Sequence, residues 1–155
     1  MHPQQPTTAP SQPQEPLQAL QTALAAEHAA VYGYGVAGAM LTGHDQAKAR
    51  TDWTAHQEAR DTLHAMIVKL GATPVAASAA YKLPFAVHDA RSARRLAAAL
   101  EDGVTQAYLG LVAATDMTLR AFGALAMQPP ANRAADWRGS TVAFPGMAGM
   151  GGSRS

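Results

Sequence analysis

The arrangement of helix-forming segments constrains the fold of this chain more than any other feature. Apolar residues recur at helical intervals in four stretches of sequence, approximately residues 17–41, 45–70, 89–115 and 116–137. The pattern therefore predicts an all-α chain. Pro129 and Pro130 lie inside the fourth stretch, so that helix must kink or split where they occur.

The linkers between these stretches predict the topology. Only a few residues separate the first helix from the second, around Gly43, and the third from the fourth, so each pair should be antiparallel. The link between the second and third helices, from Gly71 to His88, is much longer. An extended link of about 18 residues spans up to roughly 60 Å, whereas a helix of about 25 residues is only about 37 Å long. One long crossover between helices two and three is the connection found in a ferritin-like four-helix bundle.

The helix boundaries and the two ends of the chain follow from local signals. Asp45 and Asp89 are predicted N-caps of the second and third helices, and Gly71 is the predicted end of the second. Residues 1–16 hold five of the ten prolines and are predicted to form a disordered Pro/Gln-rich leader. Residues 139–155 form a glycine-rich tail, which leaves residues 17–138 as the helical bundle.

Composition excludes several classes of function. The formal net charge is +1, so no overall field favours nucleic acid or a membrane surface as a partner. The chain has no cysteine and therefore no thiolate zinc site or cysteine nucleophile. No apolar run reaches the roughly 18 residues of a membrane span, and no secretion signal is recognisable. The expected location is the cytoplasm.

Polar side chains on three of the predicted helices face the expected core. Glu27 lies on the inner stripe of the first helix, His56 and Arg60 lie on that of the second, and Glu101 and Tyr108 lie on that of the third. Counting residues from the turns places Glu27, His56, Arg60 and Glu101 at about the same level. Buried charges are costly unless they are paired or bind a metal, so these residues should form one buried polar network.

Two interpretations of this layer remain open. In the first, the Arg60 guanidinium lies between Glu27 and Glu101 and satisfies both carboxylates without a metal. In the second, one iron or manganese ion is held by Glu27, His56 and Glu101. A further pair with ligand spacing, Asp61 and His64, lies on another face of the second helix.

Several motifs resemble those of an actinobacterial ferritin-like family of uncharacterised function, over about residues 17–146. They are "EH" at residues 27–28, "HQEAR" at residues 56–60, "YKLPF" at residues 81–85 and the closing "WRGSTVAFPG". The resemblance implies a ferritin-like bundle but supplies no activity. A di-iron site of that superfamily also needs two Glu-x-x-His motifs. The second helix has none, and no histidine follows His88, so the di-iron set is incomplete.

The sequence thus favours a non-catalytic bundle with a structural or binding role, in which a buried Glu/His/Arg network replaces a di-iron site. We also expect a homo-oligomer that associates through an alanine-rich face. The first alternative is an iron- or manganese-binding protein with a redox or storage role. The second is an adaptor or cargo protein that docks on a protein partner through its two tails.

Overall fold

The computed structural model describes residues 14–139. The tail prediction for residues 140–155 and most of the leader prediction lie outside these residues. The leader boundary needs a correction, because residues 14–16 already belong to the first helix. Within the described residues the structure is all-helical, as predicted, and none of its helices is long and apolar enough to cross a membrane.

Residues 14–139 contain five helices: α1 (Gln14–Ala39), α2 (Gly43–Lys69), α3 (Ala90–Val112), α4 (Met117–Ala126) and α5 (Gln128–Arg138). The predicted fourth helix is split at Met127 into α4 and α5. Pro129 and Pro130 lie in the first turn of α5. Proline is tolerated there because the first backbone N–H groups of a helix have no intrahelical partner.

Contacts between the helices establish their directions. α1 and α3 are antiparallel. Ala19 near the start of α1 lies against Gly110 near the end of α3, whereas Gly33 later in α1 lies against Leu100 earlier in α3. α1 and α2 are joined by a short turn and pack along their length, so they are also antiparallel. α2 and α3 are therefore parallel, and Arg94 in α3 pairs with Asp45 at the start of α2.

The crossover between α2 and α3 consequently runs along the bundle. Its beginning is held by Gln21, which donates to the carbonyl of Thr73 at 2.8 Å and accepts from the N–H of Val75 at 2.8 Å. Near its other end, Phe85 lies under the guanidinium of Arg95, 4.4 Å from the ring centroid. Side chains of the "YKLPF" segment and of Val87 pack against the core, so the crossover covers one side of the bundle.

The N-caps agree with the predictions for α3 but not for α2. Asp89 accepts from the backbone N–H of Ser92, and the Ser92 hydroxyl completes a capping box. The N-cap of α2 is Thr42, three residues before the predicted Asp45, because the helix already begins at Gly43. Asp45 is therefore left free to pair with Arg94.

The core consists of two apolar clusters with a polar layer between them. One cluster lies towards the start of α1 and includes Leu20, Leu24, Leu63, Ile67 and Leu111. The other lies towards the end of α1 and includes Ala37, Leu41, Ala93, Leu96 and Ala97. Glu27, His56 and Glu101 are buried between them, so the charged layer is covered by apolar side chains at both ends.

Candidate functional site

Three helices bring together two carboxylates and one imidazole in the middle of the core. His56 Nδ1 lies 2.6 Å from Glu27 Oε2, and His56 Nε2 lies 3.1 Å from Glu101 Oε1. The exposed fractions of Glu27, His56 and Glu101 are 1%, 0% and 0%. The imidazole of α2 therefore bridges the carboxylates of α1 and α3.

This arrangement determines the protonation of the imidazole. A neutral ring has only one N–H, whereas an imidazolium donates from both nitrogens and can satisfy both carboxylates. Burial by itself would lower the pKa of His56, but the hydrogen bonds and charges of Glu101 and Glu27 outweigh burial and raise it to about 9. His56 is therefore a cation at neutral pH.

Two tyrosines donate further hydrogen bonds to the carboxylates. Tyr108 donates its hydroxyl to Glu27 Oε1 at 2.8 Å, and Tyr34 donates to Glu101 Oε1 at 2.6 Å. Burial and the adjacent carboxylate raise the pKa of each tyrosine above its usual range. Both hydroxyls thus stay protonated and act as fixed donors.

A second positive group reaches the layer from α5. Arg133 Nε donates to Glu101 Oε1 at 2.7 Å. Burial would raise the pKa of Glu101, but hydrogen bonds from His56 and Arg133 outweigh burial and hold it below its usual value. Glu101 is therefore ionised, with cations on two sides.

The network extends to Asp52 near the second apolar cluster. Trp137 Nε1 lies 2.9 Å from both the Tyr34 hydroxyl and Asp52 Oδ2, and Lys48 Nζ lies 2.7 Å from the same carboxylate oxygen. We call the following residues the buried network: Glu27, Tyr34, Asp52, His56, Glu101, Tyr108, Arg133 and Trp137. With Lys48 included, three carboxylates face three cations, and the formal charges cancel.

The expected role of Arg60 is not supported. Its guanidinium pairs with the neighbouring Asp61 at 2.8 Å, and its side chain is 29% exposed. It makes no hydrogen bond to Glu27 or Glu101 within the described residues. His56 itself lies between the two carboxylates, and Glu101 is also contacted from another helix by Arg133, whose side chain is 17% exposed.

The other histidines that flank the predicted layer lie outside it. His28 is hydrogen-bonded through Nε2 to the carbonyl of Val75 at 3.1 Å, so it attaches the crossover to α1. Asp61 and His64 are exposed, and Asp61 is engaged by Arg60. These two do not form a ligand pair in this structure.

The geometry does not suit a cation shared by Glu27, His56 and Glu101. The two carboxylates contact opposite nitrogens of the ring, so their bound oxygens cannot converge on one point together with an imidazole nitrogen. Among the described residues, no group of three or more His, Asp or Glu side chains could hold a metal ion. Arg133 adds a positive charge at Glu101, which disfavours a cation there.

One cavity reaches the buried network from the side. It has a volume of about 230 Å³, and Glu27, Tyr108 and Arg133 lie at its polar part. Phe122, Pro129 and Pro130 belong to its apolar wall. The split between α4 and α5 therefore borders an opening through which a small molecule could approach Arg133.

Four members of the buried network were not assigned to it from the sequence: Tyr34, Asp52, Arg133 and Trp137. Some signals were present. Tyr34 follows Glu27 by seven residues and Asp52 precedes His56 by four, so each pair shares a helix face. Arg133 and Trp137 are also four residues apart, on α5. Because the fourth helix was expected to break at Pro129, the pair Arg133 and Trp137 was not assigned to an inner face.

Comparisons with known proteins give a family without an assigned activity. The family described as "Domain of unknown function (DUF4439)" matches residues 19–149. The chain is also similar to a solved structure, a conserved hypothetical protein from Mycobacterium tuberculosis, with 32% sequence identity and a TM-score of 0.79. That similarity covers 83% of this chain and 98% of the other. The curated proteins compared with this sequence include no match.

Proposed function

The chain belongs to the DUF4439 family, and we propose that it is a non-catalytic ferritin-like bundle protein with a structural or binding role. The observation that carries this proposal is the position of His56 between Glu27 and Glu101, with both ring nitrogens engaged. With both of its nitrogens bound to carboxylates, the buried imidazole is not available as a base.

The helix directions support the ferritin-like assignment. Two antiparallel pairs, α1 with α2 and α3 with α4–α5, are joined by one crossover that runs the length of the bundle. One long crossover is the connection that distinguishes ferritin-like bundles from the simple up-down-up-down arrangement.

The charges of the buried network support replacement of a di-iron site. In di-iron bundles, inward carboxylates from four helices are neutralised by metal ions. Here Glu27 and Glu101 supply two such carboxylates, while His56 and Arg133 supply the opposing positive charge. Removing one member of such a set leaves a buried charge unpaired, so all members must be retained together.

An iron or manganese ion held by Glu27, His56 and Glu101 is the competing proposal. One observation favours it: Oε2 of Glu101 is buried and has no hydrogen-bond partner among the described residues. Metal binding would require His56 to leave at least one carboxylate. The redox or storage role of this alternative depends on that rearrangement.

Metal analysis combined with nuclear magnetic resonance separates the two proposals. The full chain would be expressed with added iron and manganese and purified without chelators, and its metal content would be measured by plasma mass spectrometry. We expect no stoichiometric metal and, at pH 7, ¹⁵N chemical shifts that show both His56 nitrogens protonated.

Near-stoichiometric metal that is absent from Glu27→Gln would overturn the proposal, provided that this variant keeps its helical circular dichroism. Glu58→Gln is the matched control, since Glu58 is exposed on α2 and lies outside the buried network. A neutral His56 ring at pH 7 would also contradict the proposal.

A further inference from the structure

A second site of unusual charge lies in a groove between α3 and α5, away from the ring of His56. The groove is an open cavity of about 570 Å³. Three arginines of α3 and one of α5 line it, together with Asp102 and Trp137. We call it the arginine groove and define it by Arg91, Arg94, Arg95, Asp102, Trp137 and Arg138.

The positive charge of the groove is local. The whole chain has a net charge of +1, yet four of its twelve lysines and arginines line this groove. Arg94 pairs with Asp45 at 2.6 Å, and Arg138 pairs with Asp102. Among the lining residues and their ion-pair partners, two carboxylates against four guanidiniums leave an excess of two positive charges. Asp89, which lies outside the groove, is close enough to Arg91 for its carboxylate to be influenced by that charge.

Helix electrostatics do not explain this concentration. Arg91, Arg94 and Arg95 lie in the first turns of α3, where the helix dipole is positive and cations are unfavourable. The first turn contains no acidic residue, and the cap is already provided by Asp89. The helix dipole therefore does not account for the three arginines at this end of α3.

Their side chains keep free donors directed to solvent. Arg94 forms an ion pair with Asp45 through Nε, and its side chain is 50% exposed. Arg95 stacks over Phe85, and this contact leaves its N–H groups uncovered. Arg91 is exposed and has no ion-pair partner among the described residues. Each guanidinium carries five N–H donors, so most of the donors in the groove are available.

The groove also contains one unmatched acceptor. Asp102 Oδ1 is buried and has no hydrogen-bond partner among the residues that the structure describes, although the other oxygen of this carboxylate is bound to Arg138. An unpaired buried acceptor is costly unless a donor reaches it. This oxygen is closed to solvent, so a ligand in the groove reaches it only by displacing a neighbouring side chain. A ligand that does so should combine an anion with a hydroxyl group.

We propose that the arginine groove binds a phosphate monoester that carries a hydroxyl group. A phosphate monoester has a charge near −2 at pH 7, which matches the excess of two positive charges. Its terminal oxygens accept paired N–H bonds from guanidinium groups. Arg91 and Arg95 then bind the phosphate, and the hydroxyl of the ester donates to Asp102 Oδ1 after a side chain that covers this oxygen has moved aside.

The neighbouring surface limits where the anion can bind. A second groove shares Arg94 and Trp137 with the first, but it also contains Asp45 and Asp136. Lys48, its other cation, is held by Asp52. The positive excess is therefore confined to the side of α3 that carries Arg91 and Arg95.

The test uses isothermal titration calorimetry of the full chain with glycerol 3-phosphate as the probe. We expect saturable binding that Arg91→Glu weakens by about tenfold or more, because a charge-assisted contact is replaced by repulsion. Arg50→Glu is the matched control, since Arg50 is also exposed, carries the same charge and lies on α2. It should change the affinity by less than about twofold.

Several results would overturn the proposal. The first is the absence of binding both to millimolar glycerol 3-phosphate and to vesicles that contain lysophosphatidic acid. The second is equal losses in Arg91→Glu and Arg50→Glu, which would indicate a non-specific charge effect. Equal affinities for inorganic phosphate and glycerol 3-phosphate would overturn the role given to Asp102. Sedimentation with vesicles that contain lysophosphatidic acid distinguishes the sources: vesicle binding without binding of the soluble ester assigns a lipid headgroup, and the reverse assigns a soluble ester.

Discussion

Replacing Arg133 and Arg60 separately by methionine tests which arginine neutralises the buried carboxylates. Arg133→Met removes the guanidinium from Glu101 but keeps most of the apolar stem, so packing is largely preserved. Arg60→Met makes the same chemical change on α2, where the guanidinium contacts only Asp61 among the described residues. The two variants differ in the environment of the lost charge.

The burial of the two pairs sets the expected magnitudes. Glu101 is fully buried and the Arg133 side chain is 17% exposed, so Arg133→Met leaves a buried carboxylate with one cation fewer. Breaking a buried pair costs about 3–5 kcal/mol, and we expect the lower end because Arg133 retains some contact with solvent. Arg60 and Asp61 form a surface pair, for which the expected cost is below about 1 kcal/mol.

Urea unfolding at pH 7, followed by circular dichroism at the helical band, measures both free energies of unfolding. A loss of about 3 kcal/mol would also lower the melting temperature by roughly 6–12 °C for a chain of this size. Equal losses in the two variants, or a larger loss for Arg60→Met, would refute the assignment of Arg133 to the buried network.

Two further predictions concern the imidazolium and the contact between α3 and α4. Because the pKa of His56 in the folded state is about 9, above its ordinary value of 6.5, its stabilising contribution should be complete below about pH 6.5 and be lost as the pH rises to about 9. Unfolding free energies measured across that range should fall for the wild type and fall less for His56→Gln; parallel curves would contradict the assignment. Gly123→Ala should destabilise by about 1–3 kcal/mol, because the new Cβ would lie 2.6 Å from Leu111 Cβ and 3.0 Å from the Val112 backbone nitrogen. The control Gly103→Ala has no atom within 4 Å of its new Cβ and should stabilise α3 by up to about 1 kcal/mol, so thermal melts that rank the two variants in the opposite order would contradict the close contact.

The sequence alone was sufficient to predict the height along the bundle at which most of the inner polar residues lie. A rise of about 1.5 Å per residue converts distance from a turn into height along a bundle. Glu27, His56, Arg60 and Glu101 were therefore placed in one layer by counting from the turns. The structure has Glu27, His56 and Glu101 in contact, whereas the Arg60 guanidinium pairs with Asp61. The burial of Glu27, His56 and Glu101 followed from the apolar residues at the same helical spacing.

The boundaries of the helices were also largely encoded locally. Asp89 caps α3 through a contact three residues away, and Gly71 ends α2 in a left-handed conformation that glycine adopts readily. Such features depend on neighbours in the chain and not on the fold. Asp45 shows the limit of this reasoning, because its carboxylate is used by Arg94 from another helix.

Which arginine meets Glu101 was decided only by the tertiary structure. A count of residues along one continuous fourth helix placed Pro129 opposite Glu101. In the folded chain Arg133 lies one turn beyond Pro129, and its side chain contacts the Glu101 carboxylate. It can reach back because side chains of a helix tilt towards the N-terminus, and therefore towards Pro129. Arg60 has the correct spacing from His56, but a long flexible side chain can turn to a nearby carboxylate such as Asp61. Spacing fixes where a Cα lies, whereas the position of a guanidinium depends on which partners the other helices bring within its reach.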